Sequence, residues 1–290
     1  MRYPFRRSSG KLLAIVAFCL VFIVVVHQLS YTDDLALANP LSESAQIITA
    51  CPLHDPKLSI DAPRSSIPNL VHQIWKTADV HTYSIEASHE SWKTLLEPLN
   101  YTVKLWTEDD VLRLIRANYS WLLSSYEQYP QNIQRADVAR LIVLHAEGGM
   151  YADLDVHPQS VDAIQCLQHL GLQAAFASTG GTAGLSNHFF MAQRSSSFLQ
   201  WALEESKLRA GPKSNRILLP YLQVFWSTGP MMVTSALQRY RWMYSTADYN
   251  VGVLDEQYGH SVMRHKAGRS WHGWDGYLLN WVGDHVDVAR

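Results

Sequence analysis

The run Gly148-Gly149-Met150-Tyr151-Ala152-Asp153-Leu154-Asp155 sets two carboxylates two residues apart behind a pair of glycines. Residues i and i+2 of a strand point to the same face, so Asp153 and Asp155 converge if the strand stays regular. Neighbouring carboxylates repel and resist ionising together, a conflict that a divalent cation removes. Hard oxygen ligands suit Mn²⁺ or Mg²⁺, which complete their shells with phosphate oxygens. The plainer reading is a surface turn with two solvated acids. Against it, Ala152 and Leu154 would face a core, and ligands of α/β sheets gather at strand ends.

Arg135, Asp137 and Arg140 lie just upstream. Asp137 and Arg140 are three apart and share a helix face. A solvated ion pair would do little, but the run 138–144 around Arg140 is largely apolar, which points to a cleft. Near the C-terminus, 265–276 reads His-Lys-Ala-Gly-Arg-Ser-Trp-His-Gly-Trp-Asp-Gly. His265 or His272 could ligate a metal, and the tryptophans could stack on a base or sugar. Each alone is more commonly a packing or surface residue.

The elements that must hold these groups alternate. Residues 70–75 and 101–106 read as strands. Thr107-Glu108-Asp109-Asp110 opens a helix, with Thr107 as its cap and acids at the positive end of the dipole. A longer helix is predicted over 132–147, ended by Gly148, then a strand over 150–156. Residues 174–178 and 189–193 look like strands, and 196–208 and 231–240 like helices. Strands alternating with helices predict an α/β layer fold.

The 290 residues are 47% hydrophobic and 17% charged, with a net charge of −2, which excludes a disordered chain and gives no basic footprint for nucleic acid. Three cysteines exclude a disulfide scaffold. The charge is uneven: Arg2, Arg6, Arg7 and Lys11 precede an acid-free apolar run over 12–26, extendable to Leu29. That run is a borderline membrane span with its basic flank on the cytoplasmic side. A cleaved signal peptide ending near Ala36-Leu37-Ala38 competes. That site lies ten residues past the run and is followed by Asn39-Pro40, which favours an uncleaved anchor. The division expected is a cytoplasmic tail over 1–11, an anchor over 12–29, a proline-containing stem over 30–66 and one domain over 67–290. Asn100-Tyr101-Thr102 and Asn118-Tyr119-Ser120 are glycosylation sequons. Cys19 lies in the apolar run, and whether Cys51 and Cys166 bond is left open.

Several separated motifs resemble one family. Residues 67–77, Ile-Pro-Asn-Leu-Val-His-Gln-Ile-Trp-Lys-Thr, look like the opening strand of glycosyltransferase family 32. Residues 129–137, Tyr-Pro-Gln-Asn-Ile-Gln-Arg-Ala-Asp, running on to Asp155, resemble its signature stretch. Leu219-Pro220-Tyr221 with Ser227-Thr228-Gly229-Pro230, then Ser270-Trp271-His272-Gly273, resemble its later blocks. Within the family, the 129–137 run and the Ser-Thr-Gly-Pro block look most like fungal mannosyl inositol phosphorylceramide synthases. Those proteins transfer mannose from GDP-mannose to inositol phosphorylceramide in the Golgi.

The resemblance implies a GT-A-type domain, a retaining mechanism and Mn²⁺ or Mg²⁺. It implies that Asp155 binds the metal and that Asp153 shares it or contacts the ribose, with His265 a late metal ligand. It implies that Asp137 and Arg140 hold the donor sugar, that Trp75 stacks near the nucleobase, and that Ser270 and Trp271 contact the diphosphate. The partners implied are a nucleotide sugar, a lipid or glycan acceptor, and a regulatory subunit in some members. The expected location is the Golgi membrane, single-pass and type II. Two features depart from the sphingolipid enzymes. Ser186-Asn187-His188 stands where they typically carry Ser-Asn-Asp, and the chain stops at Arg290 without their C-terminal hydrophobic segment. Both departures suit a family member with another acceptor.

Overall fold

A computed structural model describes residues 8–30, 45–51, 67–83, 85–179, 184–244, 250–266, 273–277 and 281. The elements in chain order are α1 (Ser8–Ser30), β1 (Gln46–Ile48), β2 (Leu70–Ile74), α2 (His89–Leu96), β3 (Thr102–Trp106), α3 (Glu108–Asn118), α4 (Ser120–Gln128) and α5 (Asn132–Glu147). There follow β4 (Gly149–Ala152), β5 (Val156–Pro158), α6 (Val161–His169), β6 (Ala174–Ser178), β7 (Leu185–Ala192) and α7 (Ser197–Leu208). The last are α8 (Pro220–Ser227), α9 (Pro230–Met243), β8 (Val251–Leu254), α10 (Glu256–Val262) and β9 (Met263–His265).

Seven strands form one sheet in the order β1-β8-β6-β7-β4-β2-β3. Only β7 runs antiparallel to its neighbours, β4 and β6. β5 and β9 make a separate two-stranded ribbon. The mixed, mostly parallel sheet meets the α/β expectation.

The core lies on both faces of the sheet, as a mostly parallel sheet requires. Strand alternation sorts the side chains: Tyr151, Phe176 and Phe190 pack with α3, α4, α5, α7 and α9. Met150, Ala152, Phe189 and Met191 pack on the other face with Trp92 and Leu96 of α2 and Ile164 and Leu167 of α6.

α5 matches the predicted 132–147, but not by amphipathic periodicity. Asp137 to Leu144 are all buried, so the helix runs through the interior with no polar stripe to read. α3 begins as expected, with Thr107 and Asp110 forming a reciprocal capping box.

Gly148 and Gly149 take φ of +69° and +99°. A Cβ on Gly149 would lie 2.6 Å from the carbonyl oxygen of Leu70, and one on Gly148 2.7 Å from the backbone nitrogen of Arg194. The glycine pair is therefore what lets β4 leave α5 and pair at once with β2.

Two findings fall within the segment read as stem. Gln46–Ile48 adds an edge strand, parallel to β8, too short to carry a sequence period. Cys51 bonds to Cys166 on α6, closing a separation of 115 residues. α1 is long and apolar enough to cross a membrane: its Gly10–Gln28 stretch has a mean hydropathy of 2.5.

Candidate active site

The predicted strand over 150–156 breaks where the chemistry lies. β4 ends at Ala152, and 153–155 form a turn closed by Val156 N–H donating to the Asp153 carbonyl at 2.9 Å. The carboxylates still meet, but through that turn rather than by strand alternation. Asp153 N–H donates to the His188 carbonyl at 2.9 Å, fixing one side of the turn to β7. On the other side, β9 pairs Val156 with His265, and Lys266 N–H donates to the Asp155 carbonyl at 2.8 Å. His265 Nε2 thereby stands 3.4 Å from Asp155 Oδ2. Ala152 and Leu154 are buried, anchoring the turn.

Asp137 and Arg140 project from buried α5 to the same place. Arg140 lies 3.3 Å from Asp137 Oδ1 and 3.4 Å from Asp153 Oδ2, and donates to the Asn187 carbonyl at 2.8 Å. Its guanidinium covers the Tyr151 ring, whose hydroxyl donates to Asp153 Oδ1 at 2.7 Å. Asp137 also accepts from Asn187 Nδ2 and from the Thr228 hydroxyl, each at 2.9 Å. The ion pair is thus buried and fully hydrogen-bonded, which removes the solvated-face reading.

Titration follows from this crowding. Burial pushes Asp137 up to about 6 despite Arg140 and Thr228. Burial and the neighbouring Asp155 raise Asp153, against the pull of Arg140. Burial alone would weaken the Arg140 cation, but Asp153, Tyr151, Asp137 and Asp155 together outweigh it and hold its pKa above normal. His265 is likewise opposed by burial but raised by its bond to Asp155.

Trp75 is partly exposed at the end of β2, its indole N–H donating to the Thr82 hydroxyl at 2.6 Å. It meets the Tyr83 ring edge to face at 4.8 Å. Burial and the charges of Asp155 and Asp153 raise the Tyr83 phenol, which also hydrogen-bonds Asp155. Tyr83 therefore links Trp75 to the acidic turn, a contact without local sequence signal. His188, Asn187, Thr228 and Tyr151 were also missed as site residues. The His188 ring stacks on that of His265 at 4.2 Å, and its Nδ1 bonds the Ser186 hydroxyl. Ser270 and Trp271 lie outside the described residues. Asn100 and Asn118 are both exposed.

Residues 82–173 match the family model described as a glycosyltransferase sugar-binding region containing a DXD motif. This stretch of the chain thus resembles a DXD-containing sugar-binding region. The match takes in Tyr83, Asp137, Arg140 and both acids of the turn. The chain is 28% identical to inositol phosphoceramide mannosyltransferase 3 of Schizosaccharomyces pombe, over 76% of this chain and 60% of that protein. It is 25% identical to the mannosyl phosphorylinositol ceramide synthase CSH1 of Saccharomyces cerevisiae, over 94% of this chain and 71% of that one. Thus the alignment spans about three fifths of the length of the first relative. Among solved structures, the chain is similar to PaToxG Glycosyltransferase at 17% identity and TM-score 0.45, covering 64% of this chain and 74% of that one.

The donor set around Asp155 fits a divalent cation. Among the described residues no group of three His, Cys, Asp or Glu side chains forms a ready-made cage. Asp155 with His265 offers oxygen and nitrogen side by side, while Asp153 is engaged by Arg140 and Tyr151. Few protein ligands with the remainder supplied by phosphate oxygens is the usual arrangement for such ions.

Proposed function

We propose that the protein is a retaining glycosyltransferase that moves mannose from GDP-mannose to inositol phosphorylceramide. It is held in the Golgi membrane by α1, type II, with the DXD domain luminal and Asn100 and Asn118 as glycosylation acceptors. One observation carries the reading: Arg140, a buried cation, is fixed between Asp137 and Asp153 beside the Asp155–His265 pair. The names of the relatives supply the sugar and the lipid acceptor.

In this mechanism Asp155 and His265, with Asp153, would hold a divalent cation, Mn²⁺ or Mg²⁺, whose charge would offset that on the leaving diphosphate. Arg140 adds a preorganised positive charge that needs no rearrangement during transfer. Asp137 fixes the guanidinium through a geometry that Asn187 and Thr228 complete, and presents the pair to the donor sugar. Trp75, braced by Thr82 and Tyr83, offers a ring edge and face to the nucleobase. Ser270 and Trp271 are assigned to the diphosphate on the resemblance alone. The transfer is front-face, and no side chain is assigned as base.

The purified full-length protein with Mn²⁺ and a panel of nucleotide sugars should release GDP from GDP-mannose faster than nucleotide from any other donor. Asp155→Ala should abolish the release, and undiminished turnover in that variant would end the reading. Activity of the purified chain compared with that in native membranes reports whether a regulatory subunit is required.

His188 favours a second reading, a glycan or small-metabolite acceptor, because it sits against His265 where the sphingolipid enzymes typically carry an acid. Unchanged mannosylated sphingolipid in a deletion strain would select that acceptor class.

A further inference from the structure

Among the described residues, Gln28 attaches the end of α1 to the globular part of the chain. Gln28, 3% exposed, accepts from Leu218 N–H at 2.6 Å and donates to the Arg216 carbonyl at 3.3 Å. Gln28 closes the apolar stretch that is long enough to cross a membrane. Whichever way α1 is inserted, Leu218 is held at the level where the bilayer core ends.

The surface around this attachment has the make-up of a membrane boundary. Leu218 is 66% exposed, and Lys213 and Arg216 beside it are also exposed. Two residues on, α8 begins, and Tyr221 N–H donates to Asp275 Oδ2 at 2.7 Å. That bond pins residues 273–277 against the start of α8 and leaves Trp274 and Tyr277 72% and 63% exposed. Exposed Trp and Tyr with flanking cations is the composition that settles at the headgroup level. A second exposed patch, Trp242 to Tyr244, lies at the C-terminal end of α9, and Tyr244 meets Trp201 of α7 edge to face at 6.1 Å.

A groove of about 570 Å³ opens beside the patch, lined by Ile133, Pro220, Tyr221, Val224 and Trp274. α8 runs from this groove to Thr228, whose hydroxyl binds Asp137. Eight helical residues span only about 12 Å.

We propose that the face formed by Leu218, Trp274 and Tyr277, with Lys213 and Arg216, lies on the bilayer surface and opens the groove towards the headgroup layer. A lipid acceptor would then reach the site from the membrane, one short helix away, without leaving its leaflet. The seating rests on the reading of α1 as a membrane anchor. It does not depend on the donor or on the identity of the acceptor.

The full-length protein in nanodiscs of neutral and anionic phospholipid tests this. In a Cys19→Ser background, an environment-sensitive fluorophore is attached at Leu218→Cys, Trp274→Cys or Tyr277→Cys, and as a control at Glu90→Cys on the other side of the sheet. The three face positions should shift to the blue and be quenched at least threefold more strongly than the control by lipids carrying a shallow nitroxide. Equal quenching at all four positions overturns the seating. So does a blue shift without lipid quenching, which would mean that a protein, a second copy or a regulatory subunit, covers the face. Leu218→Ser/Tyr277→Ser should lower transfer to a bilayer-embedded acceptor about tenfold and leave GDP-mannose hydrolysis unchanged. Lipid quenching in a protein that mannosylates no lipid would sink the proposed acceptor and leave the seating intact.

Discussion

Two buried arginines show how similar clusters can serve different ends. Arg209 is 3% exposed, lies over the Trp226 ring, and bonds Glu205 at 2.9 Å, the Trp226 carbonyl at 2.9 Å and Ser235 at 2.8 Å. Arg239 adds a second cation to Glu205 at 2.7 Å. Arg140 is 4% exposed and lies over the Tyr151 ring, but its carboxylates stand further off, at 3.3 and 3.4 Å, with Asp155 beyond. Among the described residues, the Arg209 cluster holds two cations for one acid and short bonds throughout. The Arg140 cluster holds three acids for one guanidinium and looser bonds. Burial of charge alone therefore does not mark a site. An excess of acid over cation, left for a metal ion or ligand to complete, does.

The comparison breaks most visibly at Arg209. Arg209→Ala strands part of a buried ionic network between α7, α8 and α9, so unfolding stability should fall by about 3–5 kcal/mol. Chemical denaturation measures that loss, and turnover per folded molecule should hold. Loss of turnover without loss of stability would mean that Arg209 belongs to the chemistry.

Arg140→Lys should give the reverse. A lysine keeps the charge but not the fork that reaches Asp137, Asp153 and the Asn187 carbonyl together. Donor hydrolysis should drop roughly 10²–10³-fold, about 3–4 kcal/mol of barrier, while the melting temperature moves little. A matched Arg209→Lys variant should keep most of its activity, which sharpens the contrast.

How much of this was legible follows from sequence distance. Asp153 and Asp155 are adjacent, and Asp137 and Arg140 share a helical turn, so local spacing revealed them. Their geometry was less legible: the turn at 153–155 is imposed by β7 and β9, which lie 30 or more and 100 or more residues further along the chain. Tyr83, Asn187 and Thr228 reach the site only by tertiary folding; Asn187 and Thr228 stood in stretches that resemble family motifs, but no local spacing gave any of the three a role. His188 was visible as a departure from a motif, but its stacking on His265 was not. α5 was placed correctly even though its interior run gives no amphipathic stripe, because Gly148 and the following strand bounded it. β1 escaped because three residues carry no period.

Acid should separate site from scaffold with the smallest effect. His72 is fully buried on β2, and the Trp106 indole N–H, which can only donate, lies 3.1 Å from its Nδ1. Nε2–H must then donate to the Gly148 carbonyl at 2.9 Å, so the neutral ring holds the start of β4. Burial lowers its pKa to about 4, against 6.5 for an unperturbed histidine. As pH falls from 6.5 the unfolded chain takes up the proton first. Stability is therefore full above 6.5 and declines towards 4, by on the order of 3 kcal/mol. Asp137 acts in the opposite sense. Its pKa is raised to about 6, so it favours the folded state below its unfolded value near 3.8 and loses that contribution as pH rises through 6. Protonating Asp137 near pH 6 should nevertheless loosen Arg140 and slow transfer before the fold weakens. His72→Gln keeps a donor and an acceptor but no titration, so denaturation midpoints between pH 6.5 and 4 should flatten. Its activity profile should still fall near pH 6. A profile that flattened with the stability would place the acid-sensitive group of the site in the scaffold, at His72, and not at Asp137.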